Sequence, residues 1–86
     1  MQPEIVGFQL SIHAEAVVKE RELDMKWIAA TINDPETTIL GEDGNMHYIR
    51  TISESGNRKL RVVVNPQATP LKIVTVFFDR RLKEKK

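Results

Sequence analysis

Two histidines, a single tyrosine and a scatter of arginines are the side chains in this sequence most able to move protons or meet an anion. His13 and Arg21 stand eight residues apart in "HAEAVVKEREL". Tyr48 and Arg50 alternate in "MHYIRTIS", Lys59 and Arg61 alternate in "KLRVVVN", and "DRRLKEKK" ends the sequence with five cations, including Arg80 and Arg81. Histidine titrates near neutrality, so His13 suits general acid–base work. Cations and a tyrosine on one sheet face can bind RNA by charge and base stacking, or stabilise the charge that develops on a phosphodiester. The competing expectation is a solvated strand face, a frayed basic end and a structural histidine. Metal chemistry is not indicated, because the only other histidine is His47 and no ligand-spaced cluster accompanies either. No G-x-S-x-G, Gly-rich phosphate loop or HExxH is present, so no cofactor is expected.

Eighty-six residues make one domain, residues 1–86, near the lower size limit for a core without staples. There is no cysteine to add disulfides or thiolate ligands. No apolar run approaches the ~20 residues that span a bilayer, and no signal-like N-terminus is seen. A soluble, cytoplasmic domain without a membrane partner is expected. Its net charge of +1 conceals a split. Residues 1–46 carry Lys19, Arg21 and Lys26 against nine carboxylates, a balance of −6. Residues 47–86 carry ten Lys/Arg against Glu54, Asp79 and Glu84, a balance of +7, with a basic tail over 79–86. Such a basic half suits an anionic partner such as RNA or the ribosome, although a dipolar and inert surface would look the same.

The elements that must position these residues follow from pattern. "FQLSI" reads as a short N-terminal strand. Ser11 is placed to N-cap a helix that ends near Glu22, with Glu15 favoured in its first turn and Ala14, Val17 and Val18 on one apolar arc. Asp24 caps a second helix, about Met25 to Asn33, which "NDP" stops. Met25, Ile28, Ala29 and Ile32 have the spacing of a buried stripe. Beyond Pro35 the pattern turns extended: "TTIL", "MHYIRTIS", "KLRVVVN" and "LKIVTVFF", separated by turn-forming residues, predict an antiparallel meander of about four strands. The fold class is therefore α+β, with two helices covering one face of the sheet. Leu60, Val62 and Val64 point to that core, which leaves Arg61 on the opposite, open face. "MHYIRTIS" is ambiguous, and "LKIVTVFF" looks apolar on both sides, as a central strand would.

Along the helix, His13 and Arg21 are separated by ~12 Å and ~80° of rotation, so they need not touch. Arg21 falls at the centre of the apolar arc, where it is expected to find a carboxylate or a carbonyl, or to compensate the helix C-terminus. Trp27 lies nearly opposite the stripe of the second helix and is expected either to pack against the first helix or to anchor a protein partner.

The run "IHAEAVVKEREL", then "NDPE", "LRVVV" and "IVTVFF", resembles a bacterial domain-of-unknown-function family, the one numbered four-two-five-eight. His13-Ala14, then Arg21 and Leu23, then Asn33, Pro35, Val62 to Val64 and Thr75-Val76 carry the likeness. Members commonly have arginine where this sequence has Val17, and glycine where it has Glu22. That family is similar to the RelE/ParE-like superfamily of toxin–antitoxin systems, including BrnT-type toxins. The resemblance implies two helices against an antiparallel sheet and, although relatives of the ParE kind act on gyrase, metal-independent RNA cleavage by basic and tyrosine residues as in RelE-like toxins. On that expectation Arg50 and Arg61 neutralise the scissile phosphate, Tyr48 or His13 acts as acid or base, Lys59, Arg80 and Arg81 bind the strand, and Arg21 is a structural family residue. The alternative is a non-catalytic interaction module that binds an antitoxin-like protein or a second copy of itself.

Overall fold

The computed structural model describes residues 8–68 and 71–80. Its elements are β1 (Phe8–Leu10), α1 (Ile12–Arg21), α2 (Met25–Asn33), β2 (Thr37–Leu40), β3 (Met46–Ile52), a 3-10 turn (Ser53–Ser55), β4 (Arg58–Asn65) and β5 (Leu71–Phe78). The meander β2–β3–β4–β5 is antiparallel, as short links require. The short N-terminal strand adds a fifth member, parallel to β5, giving the sheet order β1-β5-β4-β3-β2. Parallel pairing needs a long connection, and here the whole intervening chain supplies it.

Local chemistry sets the helix ends. Ser11 Oγ accepts the Ala14 amide at 3.0 Å and donates to the Val74 carbonyl at 2.9 Å, so one hydroxyl both caps α1 and ties its start to β5. At the other end Glu22 is left-handed, with φ 54° and ψ 46°. The Leu23 amide closes on the Val18 carbonyl at 3.0 Å and the Glu22 amide on Lys19 at 3.3 Å, which is the Schellman pattern. An L side chain there costs ~1–2 kcal/mol, whereas glycine forfeits ~0.5–1 kcal/mol of chain entropy. Glu22→Gly should therefore stabilise by about 0.5–1 kcal/mol and raise Tm by roughly 4 °C in a thermal melt. A lower Tm would mean that the Glu22 side chain is itself stabilising.

α2 begins where Asp24 Oδ1 accepts the Lys26 amide at 2.9 Å. Its buried line is Ile28, Thr31 and Ile32, with Thr31 Oγ1 satisfied by the Trp27 carbonyl at 2.8 Å. Met25, expected in that line, is 41% exposed. The sheet-facing side is instead rotated toward Trp27, whose ring meets Phe78 of β5 edge-on, with centroids 6.0 Å apart. That ring contact joins α2 to the sheet.

Beneath the helices Leu60, Val62 and Val64 of β4 are fully buried beside Ile73 and Val76 of β5. Ile73 and Val76 are an odd number of residues apart, yet both join one core. The register explains this: Val63 pairs with Thr75 and Val64 with Ile73, so Val74 is the extra residue of a bulge that shifts the strand's phase. Much of the two-sided apolar character of "LKIVTVFF" is this bulge. Among the described residues no helix is long and apolar enough to cross a membrane.

Candidate functional site

Strand register divides the cations singled out by sequence. Tyr48 pairs with Val62 and Arg50 with Leu60, so both share the helix-covered face. Lys59 pairs with Thr51 and Arg61 with Ile49, which puts them on the other face. The expected convergence of Tyr48, Arg50 and Arg61 on one phosphate is therefore corrected, because the sheet lies between them. A one-residue difference in register would have reversed this.

These cations are also neutralised. Arg50 Nη1 donates to the Asp34 carbonyl at 2.7 Å and to its carboxylate at 3.3 Å, closing the end of α2. Lys59 Nζ lies 3.4 Å from Glu36 Oε1 and donates to Thr51 Oγ1 at 2.9 Å. Arg61 Nη1 meets Asp79 Oδ2 at 2.8 Å, with side-chain exposures of only 15% and 2%. Its Nε donates to His47 Nδ1 at 3.0 Å. A guanidinium can only donate, so Nδ1 accepts with its lone pair and the ring proton sits on Nε2. Nε2 is buried 3.5 Å from Asp43 Oδ1, too far for a good hydrogen bond, so that contact is electrostatic. With Ile49 and Val63 also buried, this face is not the open one expected, and Arg61 serves as a structural ion-pair partner.

Burial works against the charged form of Glu36, but hydrogen bonds from the Thr51 hydroxyl and amide and from Lys59 outweigh it and hold the carboxyl below its ordinary pKa. A depressed folded pKa adds stability above the unfolded value, about 4.3, and that stability is lost as pH falls through the lower folded value. Glu36→Gln should therefore lower Tm at neutral pH and flatten its decline below pH ~4.3. Thermal melts between neutral and acid pH check this, and an unchanged acid limb would contradict it.

On the opposite flank, along α1, lies Arg21, which has no carboxylate partner among the described residues. β1 pairs with β5 only as far as Ile73; among the described residues no strand covers the β5 edge beyond it, and α1 runs beside that edge. His13, Val17 and Arg21 recur every fourth residue and line one wall of a cleft of ≈ 250 Å³. Thr75, Val76, Phe77 and Phe78 line the other wall, and Leu23 also borders it. His13 Nε2 is 3.1 Å from Thr75 Oγ1 and the histidine is exposed. No hydrogen bond joins His13 to Arg21 among the described residues. Arg21 finds neither carboxylate nor carbonyl among them, contrary to expectation: it is exposed, so water satisfies it. The two residues are partners through a shared cleft and not through contact.

Beside the cleft, the Arg58 guanidinium lies 4.0 Å over the Phe78 ring and its Nε donates to the Ser55 carbonyl at 3.0 Å. Arg80 is exposed just past β5, and Arg81 lies outside the described residues. Sequence reasoning passed over Thr75, Phe77, Phe78 and Arg58 as functional candidates. The one available signal was Thr75, the sole hydroxyl within the apolar run "IVTVFF". Among the described residues no group of three or more His, Cys, Asp or Glu side chains could hold a metal.

Fold and site together define a small α+β domain whose first helix and last strand enclose a cleft with a histidine and an arginine that has no carboxylate partner among the described residues. The chain belongs to the family described as Domain of unknown function (DUF4258), whose model matches residues 10–78 and so includes every residue that lines the cleft. No curated protein and no solved structure matches it.

Proposed function

We propose that this is an RNA-directed, RelE-like domain that binds and cleaves single-stranded RNA at the α1–β5 cleft. The observation that carries the reading is Arg21, an arginine without a carboxylate partner among the described residues, sharing that cleft with His13 and Thr75. His13 accepts the proton of a ribose 2′-hydroxyl as its oxygen bonds to phosphorus, and the bond from phosphorus to the 5′-oxygen breaks. The proton goes to the departing 5′-oxygen, leaving a cyclic phosphate and a 5′-hydroxyl. Arg21 leans toward the helix N-terminus, along the cleft, and stabilises the charge on the phosphoryl oxygens. Phe77, which lines the cleft, offers a ring to a base. The ribosome and an antitoxin-like protein are the partners this reading suggests, and its compartment is the cytoplasm. The test is incubation of the purified chain with a single-stranded oligoribonucleotide in EDTA, with and without ribosomes. Cleavage and cyclic-phosphate ends are expected, and an inert, non-binding chain in every format would overturn the reading.

A second reading, an interaction module without catalysis, is favoured by one feature. β2 is an edge strand whose four residues are all exposed, with Leu40 68% exposed. Such an edge invites strand addition from a second copy or another protein. Under this reading the wild-type chain runs as a dimer or complex in size-exclusion chromatography, and Leu40→Lys returns it to monomer.

A further inference from the structure

We infer that Thr75 is the positioning residue of the cleft: it holds His13 by Nε2, so that Nδ1 is the nitrogen that takes the proton of the ribose 2′-hydroxyl. This rests on the RNA reading above. His13 Nε2 lies 3.1 Å from Thr75 Oγ1, and neither side chain makes another hydrogen bond among the described residues. A neutral imidazole carries one N–H and one lone pair, and the bond made by one nitrogen decides the state of the other. A ring that acts as a base needs its lone pair free. Nε2 faces the hydroxyl, so Nε2 carries the proton and donates it to Thr75, and the lone pair stands on Nδ1. The imidazolium formed when Nδ1 takes a proton keeps that bond, because both of its nitrogens donate. One contact therefore holds the ring through proton uptake and through its return to the departing 5′-oxygen.

The fold builds this contact. A regular ladder would follow the pairing of Val64 and Ile73 with Val63 opposite Val74, but the extra residue of the bulge puts Thr75 opposite Val63. A hydroxyl thus stands where a valine would have, which is the re-aiming of side chains that bulges supply. The bulge also anchors the helix. The Val74 carbonyl accepts from Ser11 Oγ at 2.9 Å, and the Ile73 carbonyl accepts the Ser11 amide at 2.9 Å. These anchors immediately precede Thr75 on one strand and His13 on the helix, so they fix the distance between the two. β1 pairs with β5 no further than Ile73, so among the described residues no strand stands between the ring and Thr75. An exposed histidine without such a partner samples several rotamers, and a reacting group misplaced by ~1 Å loses about 10²-fold in rate.

The experiment pairs NMR of the rings with kinetics. Two-bond 1H–15N spectra of the 15N-labelled chain at alkaline pH, where imidazoles are neutral, report which nitrogen carries the proton. His13→Ala assigns the two histidines, and His47 serves as the internal reference. Wild-type His13 should hold its proton on Nε2, and Thr75→Val should mix the tautomers at His13 while His47 stays unchanged. Valine keeps the β-branched shape that suits a strand, so the variant retains the fold. In cleavage of a labelled single-stranded oligoribonucleotide, Thr75→Val should lower kcat by about 10–100-fold with KM unchanged. Thr75→Ser, which restores the hydroxyl, should recover most of that rate. A wild-type proton on Nδ1 overturns the inference alone, as does a Thr75→Val variant with the wild-type kcat or a Thr75→Ser variant no faster than Thr75→Val. A wild type that cleaves no RNA overturns the cleft reading and this inference with it.

Discussion

Replacing His13 with alanine is expected to slow RNA cleavage by roughly 10²–10⁴-fold, the usual contribution of a positioned acid–base group. The side chain is exposed and its one described hydrogen bond is to Thr75, so stability should change by less than about 0.5 kcal/mol. Rate and stability therefore separate at this position. Arg21→Ala should cost about 10²-fold, as the loss of one donor to developing charge does, again with little change in Tm. Single-turnover cleavage of a labelled oligoribonucleotide, run beside thermal melts, measures both. A wild-type rate in His13→Ala would remove acid–base catalysis from this residue.

The largest effect on stability is expected from Asp79→Ala. Its carboxylate is almost fully buried against a guanidinium that is 15% exposed, and removing it leaves an uncompensated cation. Breaking a buried pair from one side typically costs ~3–5 kcal/mol. At roughly 4–8 °C per kcal/mol for a domain of this size, Tm should fall on the order of 15 °C or more. Removing both partners is a different matter. Asp79→Leu with Arg61→Met abolishes the charge together with its desolvation cost and should recover most of the loss. Well below its Tm the double variant should cleave RNA near the wild-type rate, since neither residue lines the cleft. Activity lost in a folded double variant would return Arg61 to the catalytic role that its place in "KLRVVVN" suggested.

How far the sequence could be read depended on how local the physics was. Ser11, Asp24 and Pro35 act within a few residues, and the helix ends they predict are the ones observed. Leu60, Val62 and Val64 alternate cleanly and lie in the core as expected. The face of β3 was not legible, because "MHYIRTI" carries apolar and polar groups on both sides. Its register is set by a turn in which Gly56 and Asn57 take positive φ, a property of the hairpin and not of the strand. The Val74 bulge was hidden for the same reason: β-branched residues fill both phases. For His13 and Arg21, spacing correctly separated the two but could not reveal the wall opposite. That wall depends on β1 ending at Leu10, which leaves the later part of the β5 edge to α1.

The most direct test of the cleft as the RNA site is a titration of the 15N-labelled protein with a non-cleavable 2′-deoxy oligonucleotide of a bound sequence, followed by amide chemical shifts. The account predicts shifts concentrated at His13, Val17, Arg21 and Thr75 to Phe78, with His47, Ile49 and Arg61 unmoved. Shifts centred on His47, Ile49 and Arg61, with the α1–β5 cleft silent, would contradict it.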